Sequence, residues 1–127
     1  MGQLITFKTA KLAKEKGFSP KTKKFYNTRI PEESEVVKTF SMKMPWNTFS
    51  DNPYTIAIVP QSLLQKWLRE KHNLDANVIT KHKDLGKFYG GFVDTNNGEI
   101  NKSYGSNFRT YEEALEKGLK EGLKLIE

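Results

Sequence analysis

Two histidines are the only imidazoles in the chain, and each has a carboxylate nearby. His72 lies three residues before Asp75, and His82 two before Asp84. A histidine beside a carboxylate can move a proton or help hold a metal. A resident metal site asks for more converging ligands than these spacings supply. The simpler reading makes His72 a last-turn helix residue and His82 a strand residue. No phosphate-binding loop, paired-glycine dinucleotide fingerprint or two-histidine zinc helix is present. Glu32, Glu33 and Glu35 read as a solvated acidic run, and Glu112 and Glu113 as helix-capping residues. No catalytic residue, cofactor site or metal site is assigned, and a non-enzymatic protein is expected.

Binding chemistry has more material. Residues 1–30 hold eight basic residues and one acid, a local charge of +7 within a total of +6. Lys8, Lys11, Lys14, Lys21, Lys23 and Lys24 could neutralise phosphates, with Phe25 and Tyr26 for base stacking. A solvated lysine-rich surface explains the same residues without a ligand. Trp46, Phe49 and Tyr54 form a second group. They would either anchor a protein partner from an exposed loop or cap the core. Met1 to Thr6 matches the form of an N-myristoylation signal, but Thr6 has a simpler role as a helix cap.

The elements that must position these residues follow from capping and periodicity. Thr6 opens a first helix, with Ile5 and Ala10 at the staple positions. Gly17 and Phe18 close it as a left-handed stop and its apolar partner. Lys21 to Tyr26 leads into a short strand, and Val36 to Met44 alternates partly. The remainder of 19–53 reads as irregular. Thr55 to Val59 is a strand feeding a central helix that starts at Pro60. Leu63, Leu64, Trp67 and Leu68 would form its buried stripe, and Asn73 would end it.

Asn77 to Lys83, Phe88 to Val93 and Ile100 to Tyr104 describe an antiparallel meander. Asp84 to Lys87 and Asn96-Asn97-Gly98 supply its turns. Gly90-Gly91 marks a bulge or a close backbone approach. Thr110 and Glu113 frame the last helix as a capping box. Tyr111, Leu115, Leu119, Leu123 and Ile126 give it an apolar stripe. Ala114, Gly118 and Gly122 recur every four residues, which suits close packing against another element. Lys117, Lys120, Glu121 and Lys124 exclude burial in lipid.

Together these elements predict an α+β fold, three helices packed on an antiparallel sheet of three to five strands. A single globular domain over 1–127 is expected, with an irregular segment at about 19–53. The chain has no cysteine, which excludes disulfides and thiolate metal sites. No run approaches the length of a membrane span.

The run Pro60-Gln61-Ser62-Leu63-Leu64-Gln65-Lys66-Trp67-Leu68-Arg69-Glu70 with His72-Asn73 resembles a family of small bacteriophage and prophage proteins of unknown function. Ile5 to Phe18 resembles that family's first helix, and Tyr111 to Leu119 its last. The likeness covers about half the chain and leaves out Lys21 to Asn52. It implies a phage-type accessory protein in the cytoplasm of a bacterial host, and no mechanism. A host or phage protein is the expected partner. Nucleic acid bound by the basic N-terminal surface is the alternative.

Overall fold

The structure, a computed structural model, describes residues 3–29, 31–33, 35–48, 54–83, 86–95 and 101–126. Its three helices and two antiparallel three-stranded sheets make an α+β chain. The strands fall into two sheets where the sequence suggested one. Packing groups the chain into two compact units, Leu4–Pro60 and Gln61–Glu127, the latter with Met1–Gln3. The additional sheet joins two extended segments from within 19–53, Thr22–Asn27 and Lys38–Met44, to the Thr55–Ala57 strand that follows.

In the Leu4–Pro60 unit, α1 spans Phe7–Glu15, β1 Thr22–Asn27, β2 Lys38–Met44 and β3 Thr55–Ala57. The sheet order is β2-β1-β3. The Thr6 hydroxyl caps α1 by accepting from the Thr9 N–H at 3.4 Å. Ile5 and Ala10 are both buried, as a staple requires. At the other end Gly17 takes φ 91°, a left-handed conformation that glycine adopts without strain. The Phe18 N–H then reaches the Ala13 carbonyl at 3.0 Å, and the Gly17 N–H reaches Lys14 at 3.1 Å. This is the full double hydrogen bond of a Schellman stop, and Phe18 is buried beside it. Helix ends leave carbonyls without partners, so this closure fixes where α1 stops.

In the second unit, α2 spans Gln61–His72, β4 Leu74–Lys83, β5 Gly86–Thr95, β6 Asn101–Phe108 and α3 Tyr111–Lys124. The strands form the expected meander, in order β4-β5-β6. The tip of its first hairpin and the Asn96-Asn97-Gly98 turn lie outside the described residues. Asn73, at φ 55°, ends α2 and lets β4 begin at once. The Thr110 hydroxyl accepts from the Glu113 N–H at 3.1 Å, so α3 opens on its capping residue.

The inner face of α2 differs from the predicted stripe. Gln61, Leu64 and Leu68 are buried. Leu63 is 41% exposed. Trp67 is half-buried, edge-on to the His72 ring at 4.7 Å. The face turns toward Gln61 because its amide finds acceptors inside. Its Nε2 donates to the Glu112 carbonyl and to Glu116 Oε1, each at 2.9 Å. A satisfied amide can be buried at little cost.

On α3, Ala114, Leu115, Gly118, Leu119, Gly122 and Leu123 are buried, whereas Tyr111 at the head of the predicted stripe is exposed. A methyl added at Gly122 would meet Leu68 Cδ1 at 3.4 Å and Val93 Cγ2 at 3.8 Å. Those are ordinary contacts. Gly122→Ala should therefore stabilise this unit by up to about 1 kcal/mol through helix propensity. Urea denaturation measures it, and a loss of stability would show that the packing around Gly122 cannot give by a few tenths of an ångström.

Candidate functional site

The Trp46–Thr48 turn is built into the Leu4–Pro60 unit. Pro45 precedes it, and the Thr48 N–H closes it on the Pro45 carbonyl at 3.0 Å. The Trp46 ring stacks on Phe25, centroids 4.1 Å apart, and meets the edge of Phe40 at 5.6 Å. Its Nε1 donates to the Thr22 carbonyl at 2.6 Å. The Trp46 carbonyl accepts from the Thr55 hydroxyl at 2.8 Å. Asn47 then ties the turn at two further points. Its Oδ1 accepts from the Ala57 N–H at 2.7 Å, and its Nδ2 donates to the Phe18 carbonyl at 2.6 Å.

Trp46 is thus a core residue, 6% exposed. Of the alternatives for Trp46, exposed anchor or core cap, its position is that of the cap. Phe49 lies outside the described residues. Tyr54 is 49% exposed, and its carbonyl accepts from both the N–H and the hydroxyl of Thr28.

Among the described residues of this unit, the other exposed large apolar side chains lie on β2 and just before it. Lys24 pairs with Thr39 and Thr22 with Met44, so four residues of β2 oppose Lys23 alone. This bulge contains Phe40, 44% exposed, and Met42, 61% exposed. Val36 and Val37 ahead of the strand are exposed as well. Bulges re-aim side chains and end regular pairing, and they concentrate at edges that serve a function. Lys23, Lys24 and Lys43 are exposed along the same strand pair. Partial alternation from Val36 to Met44 was the sequence signal for this strand. The signal for its outward face was the presence of Phe40 and Met42 beside lysines.

The basic residues separate by exposure. Lys8, Lys11, Lys21, Lys23 and Lys24 are exposed, the first two on α1 and the last two on β1. Lys14 is half-buried and donates to the Thr55 carbonyl at 2.9 Å. Burial holds its ammonium below the usual lysine range. Tyr26 is 5% exposed, with its hydroxyl 3.3 Å from the Ile5 carbonyl and its ring edge-on to Phe7. Phe25 is half-buried against Trp46. The two rings predicted to stack on bases are therefore both occupied within the fold.

The two histidines belong to different elements, α2 and β4. His72 packs on Trp67, and Asp75 lies 4.0 Å from the Arg69 guanidinium. His82 stands opposite Lys87 in the β4–β5 ladder, and Asp84 lies outside the described residues. Among the described residues, no three His, Asp or Glu side chains are grouped to hold a metal ion. No helix among them is long and apolar enough to cross a membrane. What these units define is an α+β chain with a bulged, lysine-flanked apolar strand. The chain matches no protein-family model, no curated protein and no solved structure with which it was compared.

Proposed function

We propose that the protein is a non-enzymatic, phage-type accessory protein, a small binding module for a host or viral protein in the bacterial cytoplasm. The phage-type reading rests on the resemblance carried by the three helical segments. The binding reading rests on one observation, the bulge of β2 that leaves Phe40 and Met42 in solvent. Exposed apolar side chains grouped on one strand favour association, since covering them removes apolar surface from water. The flanking lysines select the partner. Residues 4–60 carry ten basic and five acidic side chains, so a surface with an acidic rim around an apolar centre is preferred.

The test is capture on immobilised protein from host lysate, with and without nuclease treatment. Wild type and Met42→Glu are compared with a Lys21→Gln, Lys23→Gln, Lys24→Gln triple variant. A protein species lost with Met42→Glu, and only weakened by the triple variant, is the expected result. Capture that disappears on nuclease treatment and ignores Met42→Glu would favour the nucleic-acid reading, which the exposure of Lys8, Lys11, Lys21, Lys23 and Lys24 keeps open.

A further inference from the structure

β2 is an outer strand of the β2-β1-β3 sheet, and among the described residues β1 is its one strand neighbour. An outer strand presents a row of backbone N–H and carbonyl groups along which another extended chain can pair. The bulge adds to that row. Phe40, Ser41, Met42 and Lys43 stand opposite Lys23, and one residue brings one N–H and one carbonyl. β1 therefore cannot occupy all the backbone groups of these four residues, and all four are exposed.

Side chains set what kind of chain fits. Phe40 and Met42 lie two positions apart, the spacing at which an incoming strand offers residues from one of its faces. Charge sets the sign. β1 and β2 together hold Lys23, Lys24, Lys38 and Lys43 and no acidic residue. Lys23, Lys24 and Lys43 are exposed, and no ion pair among the described residues engages them. The same lysines count against a second copy in this place, because edge-to-edge pairing would bring two sets of them together.

We infer that β2 takes up an extended acidic segment of a protein partner as a fourth strand, with apolar residues at alternate positions against Phe40 and Met42 and carboxylates toward Lys23, Lys24 and Lys43. The inference rests on the reading of β2 as a binding surface and adds the form and charge of what it binds.

The probe is a capped eight-residue peptide, valine alternating with threonine at its centre and two glutamates at each end. It is titrated into the isotope-labelled full chain at low salt, and amide chemical shifts and hydrogen exchange are read. Saturable shifts at Thr39 to Lys43 are expected, with a dissociation constant of about 0.1–1 mM for a short segment that orders on binding. Exchange of the same amides should slow as they gain partners. A depsipeptide with esters in place of the four central amides keeps every side chain and loses the N–H donors. It should bind about tenfold more weakly or worse. A peptide with lysines in place of the glutamates should lose as much. Lys43→Glu, at an exposed position, should weaken the acidic peptide about fivefold and leave the melting curve unchanged. Equal binding of the depsipeptide would overturn strand addition while leaving β2 a binding surface, whereas lysate capture that ignores Met42→Glu would undo the surface itself. Equal binding of the lysine peptide would overturn the acidic partner. Exchange at Thr39 to Lys43 that slows with protein concentration alone would put a second copy there and overturn the inference. Oligothymidylate that protects these amides where the acidic peptide does not would assign them to nucleic acid and overturn it as well. Shifts confined to other residues, or none up to about 5 mM peptide, would also overturn it.

Discussion

Trp46→Ala is expected to destabilise the Leu4–Pro60 unit by about 3–5 kcal/mol, the usual cost of deleting a buried aromatic side chain. The loss has three sources. The stack on Phe25 disappears, and so does the edge contact with Phe40. The Thr22 carbonyl also loses the indole donor that approaches it at 2.6 Å, and an acceptor stripped of its partner inside a fold costs more than the bond it made. Small domains are stable by roughly 5–15 kcal/mol, so much of the margin would go. Trp67→Ala is the natural comparison. That ring is only half-buried, and its removal should cost clearly less. The chain has two tryptophans, so each variant leaves one fluorophore to report on the other unit. Urea denaturation followed by circular dichroism gives the stabilities. Equal losses for the two variants, or a Trp46→Ala protein with an unchanged midpoint, would refute the placement of Trp46 as a core residue.

The helix ends were legible in the sequence because they depend on neighbours a few residues away. Thr6 and Thr110 cap, Gly17 and Asn73 stop, and each does so through local backbone chemistry that residue type dictates. The face that a helix buries was less legible. Hydropathy placed Trp67 and Leu63 inside α2 and left Gln61 out. The fold does the reverse for Leu63 and Gln61, because the Gln61 amide meets Glu112 and Glu116 from a helix fifty residues away in sequence. No local pattern records such a partner.

The same limit applies to the candidate surfaces. Sequence composition named Trp46 and Tyr54 together, yet one is buried and the other exposed. What separates them is the Thr22 carbonyl, the Phe25 ring and the Thr55 hydroxyl, all supplied by strands that only the fold brings together. The bulge in β2 was illegible for a related reason. It is a mismatch of register between two strands, and neither strand carries it alone. The lysines were readable as charge, but not the division between exposed Lys11 and half-buried Lys14.

Gly91→Ala should destabilise the second unit by about 3 kcal/mol, the upper end of what overpacking typically costs. A Cβ at this position would stand 2.6 Å from the Ala114 carbonyl oxygen and 3.6 Å from the Gly118 nitrogen. The first distance is too short for any real contact, and the obstructing atom belongs to the backbone of α3, so no side-chain rotation can relieve it. Either α3 must move off β5 or the strand must bend, next to a point where the β5–β6 register already shifts. The sequence had marked both partners, Gly90-Gly91 on the strand and the four-residue recurrence of Ala114, Gly118 and Gly122 on the helix. It did not reveal that they meet. Strand propensity alone would favour alanine over glycine, so the sign of the effect tests the contact directly. Two companions sharpen the result. Ala114→Gly should not rescue Gly91→Ala, because the clash is with the carbonyl and not with the alanine methyl. Gly122→Ala should move stability the other way. A Gly91→Ala protein as stable as wild type in urea would mean that α3 does not approach β5 as closely as the 2.6 Å contact requires.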